Sequence, residues 1–162
     1  MSTPPMRRTG LVDLAIPLVL IGITVYALLR VSYDAIPPLS YFVPVPIAAL
    51  AIVELVAARR VRAAVRHEPY ARPMAAISVA RCVALGKASS LVGAAVAGAA
   101  IALLIRVAPE AGTVTAARHD TSVAALLLAA AVLLVIAGLL LERAGIDPNR
   151  EERQREQRER AR

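Results

Sequence analysis

Cysteine is nearly absent from this chain, and so are histidine, lysine and large aromatics. The 162 residues hold one cysteine, two histidines, one phenylalanine and no tryptophan. One cysteine, Cys82, rules out an intramolecular disulfide. With Cys82 predicted on the cytoplasmic side, a reduced thiol in a packing role is expected. The two histidines, His67 and His119, fall on opposite faces of the membrane in the topology derived below, so they cannot share a metal. There is no paired-histidine helix motif, no phosphate-binding glycine loop and no G-x-S-x-G elbow. Ser89 lies two residues from Lys87, too close along a helix to face it, and nothing else in the chain suggests an acyl-transfer site, which argues against a serine–lysine nucleophile. No enzyme activity and no cofactor are expected.

Long apolar runs, by contrast, are plentiful. Hydrophobic residues make up 58% of the chain and mean hydropathy is +0.63, above the roughly 45–50% apolar content of soluble domains. Uncharged runs extend over 14–29, 35–53, 88–105 and 121–141, with lengths of 16, 19, 18 and 21 residues. A bilayer core of about 30 Å takes about 20 helical residues. In lipid a backbone must satisfy its own hydrogen bonds, so four helices are the expected solution. The predicted class is all-α: an integral membrane four-helix bundle. Its spans are placed at 11–30, 39–58, 84–105 and 121–141, within a transmembrane domain over 11–142. A tail over 1–10 precedes it and a charged tail over 143–162 follows. Cleavage of the first run as a signal peptide is not expected, because "LLRVSYDA" offers no small-x-small site.

Orientation follows from the arginines. Eighteen of the nineteen basic side chains are arginine, and the formal net charge is +7. Arg7 and Arg8 precede span one. Arg59, Arg60, Arg62, Arg66 and Arg72 lie between spans two and three, and Arg143 to Arg162 carry seven more after span four. The other two connections are poor in positive charge. The positive-inside rule then puts both termini and the central loop in the cytoplasm. The predicted location is the cytoplasmic membrane, as a multi-pass protein. The arginines are not interleaved with aromatics, so anionic headgroups rather than nucleic acid are their expected partner. The tail "DPNREERQREQRERAR" mixes both signs without an apolar stripe and reads as a solvated helix or a disordered segment.

The connections have their own character. "YDAIPPLSYFVPVP" carries Pro37, Pro38, Pro44 and Pro46, which delay the second helix to about Ile47 unless the last two occupy its first turn. Tyr33, Tyr41 and Phe42 are expected near the outer headgroups. "HEPYARP" breaks the cytoplasmic loop. Residues 74–105 read as one helix of about 48 Å, longer than the hydrocarbon core, whose first third extends into the cytoplasm. In the polar outer loop before span four, Asp120, Thr121 or Ser122 is expected to cap the helix. No internal repeat is visible, which weakens an inverted-repeat transporter.

Two sets of residues stand out. Asp13, Glu54, Lys87 and Glu142 each mark the cytoplasmic end of a span, and Arg81 lies near. They are a candidate charge cluster at the inner boundary, because a charge in lipid needs a partner or a route to water. The simpler reading is that each charge merely ends a span. The second set follows Lys87. Gly86 and Ser90, Ser89 and Gly93, and Ala94 and Gly98 are spaced four apart, which lets helix backbones approach closely in membranes. Burial of this face within the same chain is the expectation; a homodimer or a membrane-protein partner is the alternative.

The stretch "ARPMAAISVARCVALGKASSLVGAAVAG" carries a family resemblance. Pro73, Arg81, the Leu-Gly-Lys-Ala-Ser core at Leu85–Ser89 and the small residues through Gly98 resemble a family of small actinobacterial membrane proteins of unknown function. The family usually has alanine where Gly86 stands. The resemblance covers about Leu11 to Glu142 and implies four spans. Genes of the family often lie near folate-biosynthesis genes, a pointer to shared regulation rather than shared chemistry. It carries no activity over, and only Arg81, Lys87 and Ser89 transfer as candidate positions. The expected function is a non-enzymatic accessory or scaffold subunit, with a small-solute carrier or pore formed by a homo-oligomer as the alternative.

Overall fold

The computed structural model describes residues 10–32, 39–66, 74–112 and 114–145. The first residues, Tyr33, His67, Pro73 and the charged tail lie outside them. All regular structure among the described residues is helical: α1 (Leu11–Ser32), α2 (Pro44–Val65), α3 (Ala76–Val107) and α4 (Thr115–Ala144). A single 3-10 turn, Ala108–Glu110, follows α3.

Three of the four helices are long and apolar enough to cross a membrane: α1, α3 with its 3-10 turn, and α4. At 22, 32 and 30 residues they are roughly 33, 48 and 45 Å long. α2 also has 22 residues, but Glu54, Arg59, Arg60 and Arg62 interrupt it. The helix begins at Pro44, later than the span start expected at residue 39.

Helix ends follow local chemistry. Asp13 in the first turn of α1 accepts a hydrogen bond from the Gly10 N–H at 2.8 Å, satisfying a donor that the helix leaves open. Pro17 sits within α1; it supplies no N–H to the preceding turn. Pro44 and Pro46 occupy the first turn of α2, where an absent N–H costs little. α4 departs from expectation. It starts at Thr115 with Val114 before it and no side-chain cap. Asp120, Thr121 and Ser122 therefore lie inside the helix and do not cap it. The Thr121 hydroxyl bonds back to the Ala117 carbonyl at 2.6 Å, so a side chain expected to start a helix is accommodated within one.

The helices pack in the order α1–α3–α4–α2. α3 and α4 form the central pair. α1 lies along α3 and α2 along α4; α2 touches α3 only briefly, and α1 does not pack on α2. Three apolar clusters hold this arrangement. Leu29, Leu103, Val107 and Ala124 join α1, α3 and α4 at one end. Ala51, Leu134 and Ala137 join α2 and α4 in the middle. Ala58, Val61, Leu141 and Ala144 close the other end. The core is alanine-rich, so the helices meet through backbone and small side chains, as in membrane bundles.

Candidate functional site

Glycines set how closely α3 approaches its two neighbours. A Cβ placed on Gly86 would meet the Gly138 carbonyl oxygen at 2.6 Å, and one on Gly138 would meet the Gly86 oxygen at 2.6 Å. The two residues mark the closest approach of α3 and α4. Seven residues along α3, a Cβ on Gly93 would meet Val135 at 2.9 Å and the Ala131 carbonyl at 3.1 Å. Gly98 points elsewhere: a Cβ there would collide with the Leu18 carbonyl, and Gly22 is opposite at the same crossing. A step of five residues turns about 140° around a helix at 3.6 residues per turn, which carries the seam from α4 to α1. Of the remaining expected packing residues, Ser89, Ser90 and Ala94 are buried. The Ser90 hydroxyl donates to the Lys87 carbonyl at 2.9 Å.

Where this seam opens toward α2, a carboxyl is enclosed. α2 buries Ala51, Glu54, Ala58 and Val61, spaced three or four apart, the register of a helix face packed on a neighbour. Glu54 occupies one of those positions with 1% of its surface exposed. It lies between the middle cluster and the Ala58 cluster. The Ser89 side chain of α3 faces it. Neither carboxyl oxygen completes a hydrogen bond, and both are fully buried. Three helices thus meet around one acidic group.

The other members of the charge set are placed differently. Glu142 is buried at 6% exposure on α4, next to the Gly86 contact. Lys87 and Arg81 are exposed on α3. Asp13 is engaged at the start of α1, and α1 does not pack on α2. The structure therefore sets Ser89 against Glu54 and the Glu142 backbone against Gly86. Glu54 is the eleventh residue of the 22 in α2, so it sits at mid-helix and not at a helix end.

A second polar region was not foreseen. Asp120, 4% exposed, accepts the Leu39 N–H at 3.1 Å. His119 packs edge-on against Tyr41 with ring centroids 4.5 Å apart. Its Nδ1 lies 3.9 Å from Asp120 Oδ1. Tyr41 and Ser122 share a hydrogen bond of 3.0 Å. These contacts tie the segment before α2 to the first turns of α4. The available signal was the density of polar residues in "RHDTS", which reads equally as loop. Among the described residues no group of three or more histidine, cysteine, aspartate or glutamate side chains is placed to hold a metal ion.

The model of a family described as proteins of unknown function, DUF3180, matches residues 14–148. The chain belongs to that family. The DUF3180 match begins at the fourth residue of α1 and takes in the rest of the four helices and both polar regions. No curated protein and no solved structure matches the chain.

Proposed function

We propose that this member of DUF3180 is a multi-pass protein of the cytoplasmic membrane that acts as a non-enzymatic accessory or scaffold subunit. In this reading α2 is a fourth span and both termini are cytoplasmic. Pro44 to Ala58 gives about 22 Å of helix, short of a full bilayer. Arg59 and Arg60 are exposed, and their stems extend the reach by snorkelling. The only charge within that stretch, Glu54, is turned inward, while Ile52, Val53 and Val56 face outward. Exposed Arg62, Arg66 and Arg81 then meet anionic headgroups.

One observation carries the scaffold reading. α1 is held through a single seam on α3 and leaves Val12, Ile16, Val19, Leu20, Ile23 and Leu28 exposed. Such a helix offers nearly its whole circumference to lipid or to a partner's spans. The test is in-cell crosslinking followed by purification in mild detergent and mass spectrometry. A defined membrane partner recovered in fixed ratio is the expected result. Repeated recovery of a lone monomer would contradict it. A small-solute carrier is the second reading, favoured by the buried carboxyl of Glu54. Flux in proteoliposomes left unchanged by both Glu54→Gln and Lys87→Ala would exclude these residues from such a mechanism.

A further inference from the structure

Glu54 stands where the packing register calls for an aliphatic side chain. Its neighbours on the same face of α2, Ala51, Ala58 and Val61, are all apolar and buried. A leucine there would continue the stripe. The carboxyl instead has both oxygens buried without a hydrogen bond. It takes part in neither the Arg106–Glu110 ion pair nor the His119–Asp120 contact. A polar residue used only to glue helices together would be expected to satisfy both of its oxygens across the interface; the one side chain of another helix set against this carboxyl is Ser89.

We propose that Glu54 is the binding site of one small monovalent cation, a proton or Na+, at the junction of α2, α3 and α4. An isolated carboxylate in such surroundings is strongly disfavoured, and a bound positive charge removes that penalty. Ser89 on α3, whose hydroxyl faces the carboxyl, adds a second oxygen. Besides Glu142, buried on α4, and Lys87, exposed on α3, the packed elements carry Arg81, Cys82 and Arg106 on α3 and Arg118, His119, Asp120 and Arg143 on α4. On α2 itself the nearest charge is Arg59, which is exposed. Gly86, Ser90 and Gly138 hold α3 and α4 in close contact. The proposal is independent of whether the protein is a scaffold or a carrier.

The test is labelling of the full-length protein in detergent with dicyclohexylcarbodiimide, an apolar reagent. The carboxylic acid O–H adds across one N=C bond, and the O-acylisourea rearranges to a stable N-acylurea. Nothing is lost, so the peptide gains the whole reagent mass. Labelling is followed from about pH 5 to about pH 9, at and above the ordinary carboxylate range. Na+ is replaced by choline in a parallel series. The expected result is an adduct on Glu54 that declines as pH rises and is lost in Glu54→Gln. Indifference to Na+ identifies the proton as the ligand, and protection by Na+ identifies that ion. Ser89→Ala should shift the pH or Na+ midpoint, a readout that packing alone would not move; an unchanged midpoint would remove Ser89 from the site. Absence of the adduct in folded protein at every pH, with labelling of the same peptide after unfolding in SDS, would overturn the proposal. So would equal labelling of the exposed Glu110.

Discussion

Replacing Gly86 by alanine tests the α3–α4 seam. The added Cβ would lie 2.6 Å from the Gly138 carbonyl oxygen, 3.0 Å from the Glu142 nitrogen and 3.0 Å from the Leu141 Cβ. Ordinary contact begins at 3.4 Å, so the shortfall against the carbonyl is about 0.8 Å. Two of the three obstacles are backbone atoms, which no rotamer change can move. α3 and α4 must part locally, and a gap of roughly 0.5–1 Å forfeits a quarter to a half of each dispersion contact along it. Overpacking of this kind typically costs about 1–3 kcal/mol, a shift in the folding constant of roughly fivefold to over a hundredfold. The assay is reversible unfolding in mixed micelles, titrating SDS and following helicity. Gly138→Ala should behave alike, since its Cβ meets the Gly86 oxygen at 2.6 Å. The double variant should cost less than the sum, because helices already parted accept the second methyl. Gly112→Ala is the control: nothing lies within 4 Å of its Cβ, and the change should stay within about 0.5 kcal/mol. If Gly86→Ala were as stable as Gly112→Ala, the seam would not be where it is described.

Two further substitutions separate strong from weak contacts. Asp120→Ala leaves the Leu39 N–H without its acceptor and should cost about 1–3 kcal/mol in the same unfolding assay, whereas Asp120→Asn keeps an acceptor oxygen and should cost less. Arg106→Ala removes an ion pair of 2.7 Å whose members are 29% and 47% exposed, and should change stability by no more than about 0.5 kcal/mol.

The four helices were legible because uncharged runs of membrane length are visible without any structure. The start of α2 was legible only as an alternative: the prolines pointed to a start at about Ile47 unless Pro44 and Pro46 entered the first turn, and the helix takes that second course. The order of packing was not. In a membrane the lipid-facing and core-facing residues are both apolar, so periodicity does not distinguish the α3 face of α4 from its outer face. Gly22 and Gly138 were overlooked for a related reason: each is one glycine in an apolar run, although an isolated helical glycine is itself a sign of close packing. The early part of α4 was misread because "TAARHDT" has the composition of a loop. Its helix is held by Ala117, Asp120, Val123 and Ala124, all buried, and only tertiary contact reveals that stripe. Glu54 was noticed as a charge and read either as part of an inner-boundary cluster or as a span end; its burial at mid-helix was not foreseen. Its burial follows from its register with Ala51 and Ala58, a relation visible only when α2 is known to continue to Val65.

The central claim is that four helices, α2 included, cross the membrane with both ends on one side. Reporter fusions after Arg66, Ala111 and Gly145 test it directly. The account predicts that the fusions at Arg66 and Gly145 report from the cytoplasm and that the fusion at Ala111 reports from outside. Fusions at Ala111 and Gly145 on opposite sides, with Arg66 outside, would mean that α2 does not cross, and would contradict it.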